Sequence, residues 1–241
     1  MKLLICLIIF TVQSYGQVVK YGDEKYLDFT LKYATDTTTV DGIDWKRENL
    51  VSEFTLKGKF RLKYSIKLLN DSEALLSQYD NNEWVVQDTI EISGWTLSYI
   101  ENNKIISKFR ITDFDNDGNE DITCWIFTNM HNDISTNVFL NNPEQQRLIK
   151  LYDFAENTDV WADPKYDDKR KIIKCNQYSG LFGVQSESTY KLINYSAIPL
   201  SKTVTDLTSY EFMIKQKFKG VKGKWHFLKE NKRRIRSYYT D

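Results

Sequence analysis

The residues with the clearest chemistry in this chain form one short run, Asp113 to Ile122, reading "DFDNDGNEDI". Acidic or amide side chains fill seven of its ten positions, with Gly118 in the middle. Counted from Asp113, Asp115, Asp117 and Asp121 stand third, fifth and ninth, and Asn119 stands seventh. Alternate side chains of a curling backbone point into one concavity. Gly118 permits the sharp bend, and the main-chain carbonyl of Asn119 can add an oxygen. Hard oxygen donors in this number suit Ca²⁺, whereas Zn²⁺ would call for His or Cys. The expected ligands are Asp113, Asp115, Asp117, Asn119 and Asp121, holding one structural ion. The helical calcium hand is excluded, because its twelfth position, a bidentate Glu, is Cys124 here. The flanks "KIISKFRIT" and "ITCWIFT" read as strands, so the run is a turn between two strands. Two other readings are a metal-free Asn/Asp/Gly turn and a pair of catalytic carboxylates. Four Asp side chains packed together repel one another without a cation. Glycosidase carboxylates come from separated elements at set distances. The run therefore looks like a chelate, and no catalytic residue is expected.

The elements that must hold this turn are short and strand-like throughout. Apolar and polar residues alternate in "YLDFTLKYA" (26–34), "SEFTLKGKF" (52–60), "RLKYSIKLL" (61–69), "ALLSQYD" and "WVVQDTIEI". "GWTLSYIE" and "KIISKFRIT" flank Asn102-Asn103, a two-residue hairpin signal. Further strands follow in "DITCWIFT", "TNVFLNN", "RLIKLYDF", "KIIKCNQY", "STYKLIN", "YEFMIKQKF" and "KWHFLKE". The best helical candidate is the short "WKRENLVSEF" (45–54). The expected fold is all-β, a propeller-like meander of short antiparallel strands, with a β-sandwich or barrel as the alternative. Trp45, Trp84, Trp125 and Trp161 recur at about the length of one propeller blade. No Pro- or Ser-rich linker divides the chain, so residues 17–241 are expected to form a single domain.

The amino terminus, "MKLLICLIIFTVQSYGQ", has one Lys, an apolar run to Val12 and small residues before Gln17. This pattern is that of a secretory signal peptide over residues 1–16, too short to span a bilayer. It places the mature chain outside the cytoplasm, periplasmic or secreted. Lys and Arg number 33 and Asp and Glu 33, a balance that argues against nucleic acid as a partner. Cys124 and Cys175 remain after signal removal. They could pair, closing a loop worth roughly 4 kcal/mol in the chain-entropy account, or stay as buried thiols. His131 and His226 have no partner at metal spacing. From Lys215 to Arg236 ten Lys or Arg face the single acid Glu230. This is either a charged edge strand that discourages aggregation or a surface for an acidic partner.

The spacing D-x-D-x-D-G-x-x-D before an apolar strand resembles the FG-GAP/VCBS-type calcium loops of integrin-like propellers, which repeat it once per blade. This chain has one copy. Residues 95–195 are similar to secreted bacterial proteins with a single such loop. The shared order is loop, strand, "VFLNNPEQQRLIKLYDF", "DPKYDDKRKIIKCNQYSG", and a strand like "STYKLIN". That group includes periplasmic immunity proteins, resembling lysozyme inhibitors, that protect against lysozyme-like effectors of a type IV secretion system. The resemblance implies a non-enzymatic binding module with a protein partner, a peptidoglycan hydrolase. It also implies a partner-binding role for Tyr178, Ser179 and Gly180. Lysozyme inhibitors commonly insert Ser-Gly-x-x-Tyr into the hydrolase cleft, but the Tyr position is Gly183 here. Apart from the resemblance, "YSGLFG" reads as an ordinary turn. The remaining functional alternatives are a structural or adhesive envelope protein and, further off, a glycan-active hydrolase.

Overall fold

The computed structural model describes residues 18–21, 24–30, 39–40, 43–44, 51–70, 72–92, 97–101, 104–128, 134–178, 183–209 and 211–234. The expected signal peptide, Ser179, Gly180 and His131 lie outside the described residues, as does the first part of the helical candidate, residues 45–50. The rest of that candidate is strand. From Val51 onward burial alternates residue by residue, which is the period of a half-buried strand and not of a helix.

Among the described residues every regular element is a strand. The first fourteen are β1 (Val18–Tyr21), β2 (Glu24–Thr30), β3 (Thr39–Val40), β4 (Ile43–Asp44), β5 (Val51–Leu56), β6 (Leu62–Leu68), β7 (Glu73–Asp80), β8 (Glu83–Glu91), β9 (Leu97–Glu101), β10 (Lys104–Thr112), β11 (Asp121–Thr128), β12 (Ile134–Asn142), β13 (Arg147–Lys150) and β14 (Trp161–Ala162). The last six are β15 (Lys165–Asp167), β16 (Ile172–Tyr178), β17 (Val184–Ile193), β18 (Ser196–Asp206), β19 (Phe212–Val221) and β20 (Lys224–Arg234). A large antiparallel sheet runs β13-β12-β11-β10-β2-β5-β6-β7-β8, with β1, β9 and β14 attached. A second sheet is the simple meander β15 through β20, and β3 pairs with β4.

The expected antiparallel meander is therefore present. Its strands join sideways into long sheets, not into separate four-stranded blades. The Trp spacing does not mark equivalent places: Trp84 is 37% exposed on β8, whereas Trp161 is 2% exposed on β14. The large sheet curls until its ends approach. Lys150 on β13 lies 3.4 Å from Asp88 on β8, and Gln78 donates to the Gln146 carbonyl at 2.7 Å. Among the described residues no sheet is closed into a barrel.

Curling encloses the first core, which takes Leu27, Phe29, Tyr64, Ile66, Phe109, Ile122 and Phe139 among others. Each such side chain, fully buried, contributes about 1.5–3 kcal/mol. β12 is covered on both faces. Phe139 enters the first core, while its neighbours Val138 and Leu140 enter a second. That second core joins the sheets, bringing Leu151 and Trp161 against Ile173, Cys175, Tyr190 and Ala197. Tyr190 is its centre. Its ring meets Trp161 edge-on at 5.0 Å and Trp225 at 5.6 Å, and its hydroxyl donates to Asp153 Oδ2 at 2.5 Å.

β18 carries no clear strand signal in the sequence, because Pro199 lies in its middle. The pairing of β17 with β18 shifts register there, with Tyr190 opposite Pro199 and Thr189 opposite Ser201. Such a bulge is where a strand accommodates a residue without an N–H. On the other side stands Gly220, where an added Cβ would lie 1.8 Å from the Pro199 carbonyl oxygen.

Candidate metal centre

The acidic run is the connection of the β10–β11 hairpin, whose last pair is Thr112 with Asp121. Its backbone is bent by two left-handed residues, Asn116 at φ 54° and Gly118 at φ 90°. Asn tolerates this region, and Gly adopts it without steric cost. A Cβ at Gly118 would meet nothing within 4 Å, so the requirement there is one of backbone conformation alone.

The loop hydrogen-bonds to itself. Asp117 and Gly118 donate their amides to Asp113 Oδ1 and Oδ2 at 3.0 and 3.1 Å. Asn119 donates its amide to Asp117 Oδ1 at 2.7 Å and its Nδ2 to Oδ2 at 2.9 Å. As a result Asp113, Asp115 and Asp117 each present a carboxylate oxygen within 4.8 Å of the others. Among the described residues no Lys or Arg pairs with these three. Asp115 Oδ1 is out of solvent and accepts no hydrogen bond. Burial, followed by the charges of Asp117 and Asp113, pushes the Asp115 carboxyl up to about 6.

Asp121 is placed differently from the other acids. It is 1% exposed, and each oxygen accepts a main-chain amide: Oδ2 from Phe114 and Oδ1 from Asn141, both at 2.7 Å. It thereby ties the start of the loop to β12. Burial is the main cause that raises its carboxyl to about 8. The two amide donors act against the rise, while Asp115 and Asp117 add to it. The expected ligand Asp121 is thus not among the acids whose oxygens converge; its two oxygens brace the loop. The Asn119 carboxamide is directed elsewhere: its Oδ1 accepts the Lys59 amide at 2.9 Å. Its main-chain carbonyl is what it can offer a cation.

Several residues that hold this loop carry no signal in the sequence. Glu120 accepts from the Lys57 amide at 2.8 Å, donates its own amide to the Lys57 carbonyl at 2.7 Å, and ion-pairs with Lys25. Asn141 Nδ2 donates to the Glu120 carbonyl at 3.2 Å. Gly58 lets the β5–β6 turn approach, since a Cβ there would lie 2.3 Å from Asn119 Oδ1. The lone Gly of "LKGKF" is the only trace of this contact in the sequence. From the other side Phe114 packs on the second core, with its ring 6.3 Å from that of Tyr166.

Of the other expected positions, Tyr178 ends β16 and is 45% exposed. His226 is exposed on β20. Cys124 and Cys175 are free, buried thiols. The disulfide alternative is not realised, because Cys124 belongs to the first core and Cys175 to the second. Burial pushes both thiols well above their ordinary pKa.

The donor set fits a hard divalent cation: three convergent carboxylates, one of them with a buried oxygen lacking a donor. No family model matches the chain, and no curated protein matches it. A solved structure described as that of a Xanthomonas type IV secretion system related protein overlays with a TM-score of 0.48 at 13% identity. The overlay covers 81% of this chain and 98% of that one. Among the described residues, no helix is long and apolar enough to cross a membrane.

Proposed function

We propose that this chain is an extracytoplasmic, non-enzymatic binding module whose β10–β11 turn holds one structural Ca²⁺ through Asp113, Asp115 and Asp117, with Asp121 bracing the loop. The observation that carries the metal is the convergence of three carboxylates around an Asp115 oxygen that accepts no hydrogen bond. Ca²⁺ would neutralise that group and lock the loop between β5–β6, β12 and the second core. Asp113, Asp117 and Asp121 already accept main-chain amides. This favours a supporting role over that of general acid or base.

The partner class we propose is a lysozyme-like peptidoglycan hydrolase, as the resemblance over residues 95–195 implies. The shared order after the loop spans β11, β12, β13, β15, β16 and β17, of which β12, β15, β16 and β17 contribute to the core that joins the two sheets. Exposed Tyr178, at the end of β16, would lead the contact.

Two measurements on the chain without residues 1–16 test this reading. Melting in Ca²⁺ and in EDTA should differ, by about 2.7 kcal/mol at a hundred times the dissociation constant. The difference should vanish in Asp115→Asn, and equal melting of the native protein in both would end the calcium assignment. Inhibition of a panel of lysozyme-type hydrolases at micromolar concentration tests the partner class. No inhibition across the panel would leave a structural or adhesive envelope role as the better reading.

A further inference from the structure

The second sheet ends in an exposed hairpin whose chemistry the metal centre and Tyr178 do not use. Directly paired residues of neighbouring strands share a face. On one face of β19–β20, Phe218 stands opposite Phe227, Gly220 opposite Trp225 and Gln216 opposite Glu230. Trp225 meets Tyr190, so this face turns toward the second core. The other face carries Lys217 opposite Lys229, Lys219 opposite His226, Lys215 opposite Asn231 and Met213 opposite Arg233. Lys217, Lys219, Lys229 and Arg233 are exposed.

Among the described residues, none of the four makes an ion pair. Glu230, the acid of the hairpin, is on the opposite face, where Gln216 donates to it at 2.9 Å. Glu187 is on the cationic face, aligned with Lys217 through Thr203. It is two strands away, about 10 Å at the usual strand spacing. Like charges directly opposite, as Lys217 and Lys229 are, destabilise a sheet.

Edge protection accounts for the cations of β20 itself, but not for those one strand in. It would be served by cations on the outermost strand, yet Lys215, Lys217 and Lys219 sit on β19, one strand in. β20 itself is the open end of the sheet. Among the described residues its outer side makes no main-chain hydrogen bond. An open edge and a cationic face therefore lie side by side.

We propose that the outer edge of β20 receives an extended acidic segment of a partner protein as an added strand, its carboxylates beside Lys229 and Arg233, the exposed cations that β20 carries on that face. Side chains on one face of a strand repeat every ~7 Å, and Lys229, Asn231 and Arg233 follow that repeat on β20. A segment with Asp or Glu at alternate positions has the same repeat. Its main chain pairs with the free amides and carbonyls of β20, and its carboxylates fix register and orientation. An anionic membrane or a phosphodiester polymer would meet the cations without using the edge, so the geometry favours a polypeptide. This surface is separate from the metal centre and from Tyr178, and it stands whether or not the hydrolase reading holds.

The test uses the chain without residues 1–16 and a fluorescent peptide of about ten residues alternating Glu and Thr. The peptide should bind by anisotropy and slow hydrogen exchange of the outward β20 amides. A Lys/Thr peptide should not bind. The double variant Lys229→Glu with Arg233→Glu should weaken binding at least about tenfold with an unchanged melting temperature, while Lys229→Arg with Arg233→Lys should retain it. If the Glu pair unfolds, the Gln pair takes its place with the same readout. Three results would each overturn the proposal. The first is no peptide binding, and the second is equal binding of the Lys/Thr peptide. The third is full competition by inorganic polyphosphate or anionic vesicles with β20 exchange unaltered.

Discussion

Asp121→Ala separates a residue that braces the loop from one that only binds metal. The side chain is 1% exposed, and its two oxygens accept the amides of Phe114 and Asn141. Truncation leaves two buried donors without an acceptor, at about 1–3 kcal/mol each. It also removes a buried carboxyl, whose burial is itself unfavourable to the charged form and raises its pKa to about 8. The net loss should be about 3 kcal/mol, large against a total of roughly 5–15 kcal/mol. With a urea slope of about 2–3 kcal/mol/M, the midpoint should fall by roughly 1 M. The assay is urea unfolding in EDTA, followed by Trp fluorescence, so that lost metal binding does not contribute. Asp121→Asn keeps one acceptor and should fall between the two. A change below about 0.5 kcal/mol for Asp121→Ala in EDTA would refute the bracing role and leave Asp121 as a ligand alone.

In EDTA the protein should lose stability as pH rises from about 4 toward 8. A carboxyl with a raised folded pKa holds its proton longer in the folded state than in the unfolded one, so its contribution is complete at low pH and fades through the folded value. Asp115, at about 6, and Asp121, at about 8, set that window. Asp115→Asn should flatten the profile, saturating Ca²⁺ should make the native protein gain most at the alkaline end, and melting across pH reads both. Gly58→Ala should cost about 1–3 kcal/mol and weaken Ca²⁺ binding, because its Cβ would lie 2.3 Å from Asn119 Oδ1; calorimetric titration checks the second effect. Cys124 and Cys175 should resist a thiol reagent in the folded chain and both react in urea; a count of fewer than two thiols on unfolding without reductant would overturn their free state.

Much of the architecture was legible in the chain. Alternation identified the strands around the loop, because a half-buried strand must place every second side chain inside. Cys124 at the twelfth position excluded a helical calcium hand, and the strand pattern on both flanks agreed. The spacing of Asp113, Asp115 and Asp117 brought out a cluster that the folded loop does assemble. Other features were not legible, for reasons of the same kind. Pro199 hid β18, since only a bulge and the close approach of Gly220 make room for it. Periodic Trp spacing suggested blades, but position along the chain does not say which strands pair sideways.

Sequence alone determined the inventory: strands, an acidic turn, two cysteines, a basic end. Those follow from side-chain type and near-neighbour spacing, which local geometry reads directly. Only the tertiary structure decided which groups share an environment. It turned Asp121 toward two main-chain amides, put Gly58 under Asn119, and divided the two thiols between separate cores. It also left the lysines of β19 on a face with no acid opposite. These are long-range contacts, and their energies depend on burial and on partners far away in the sequence.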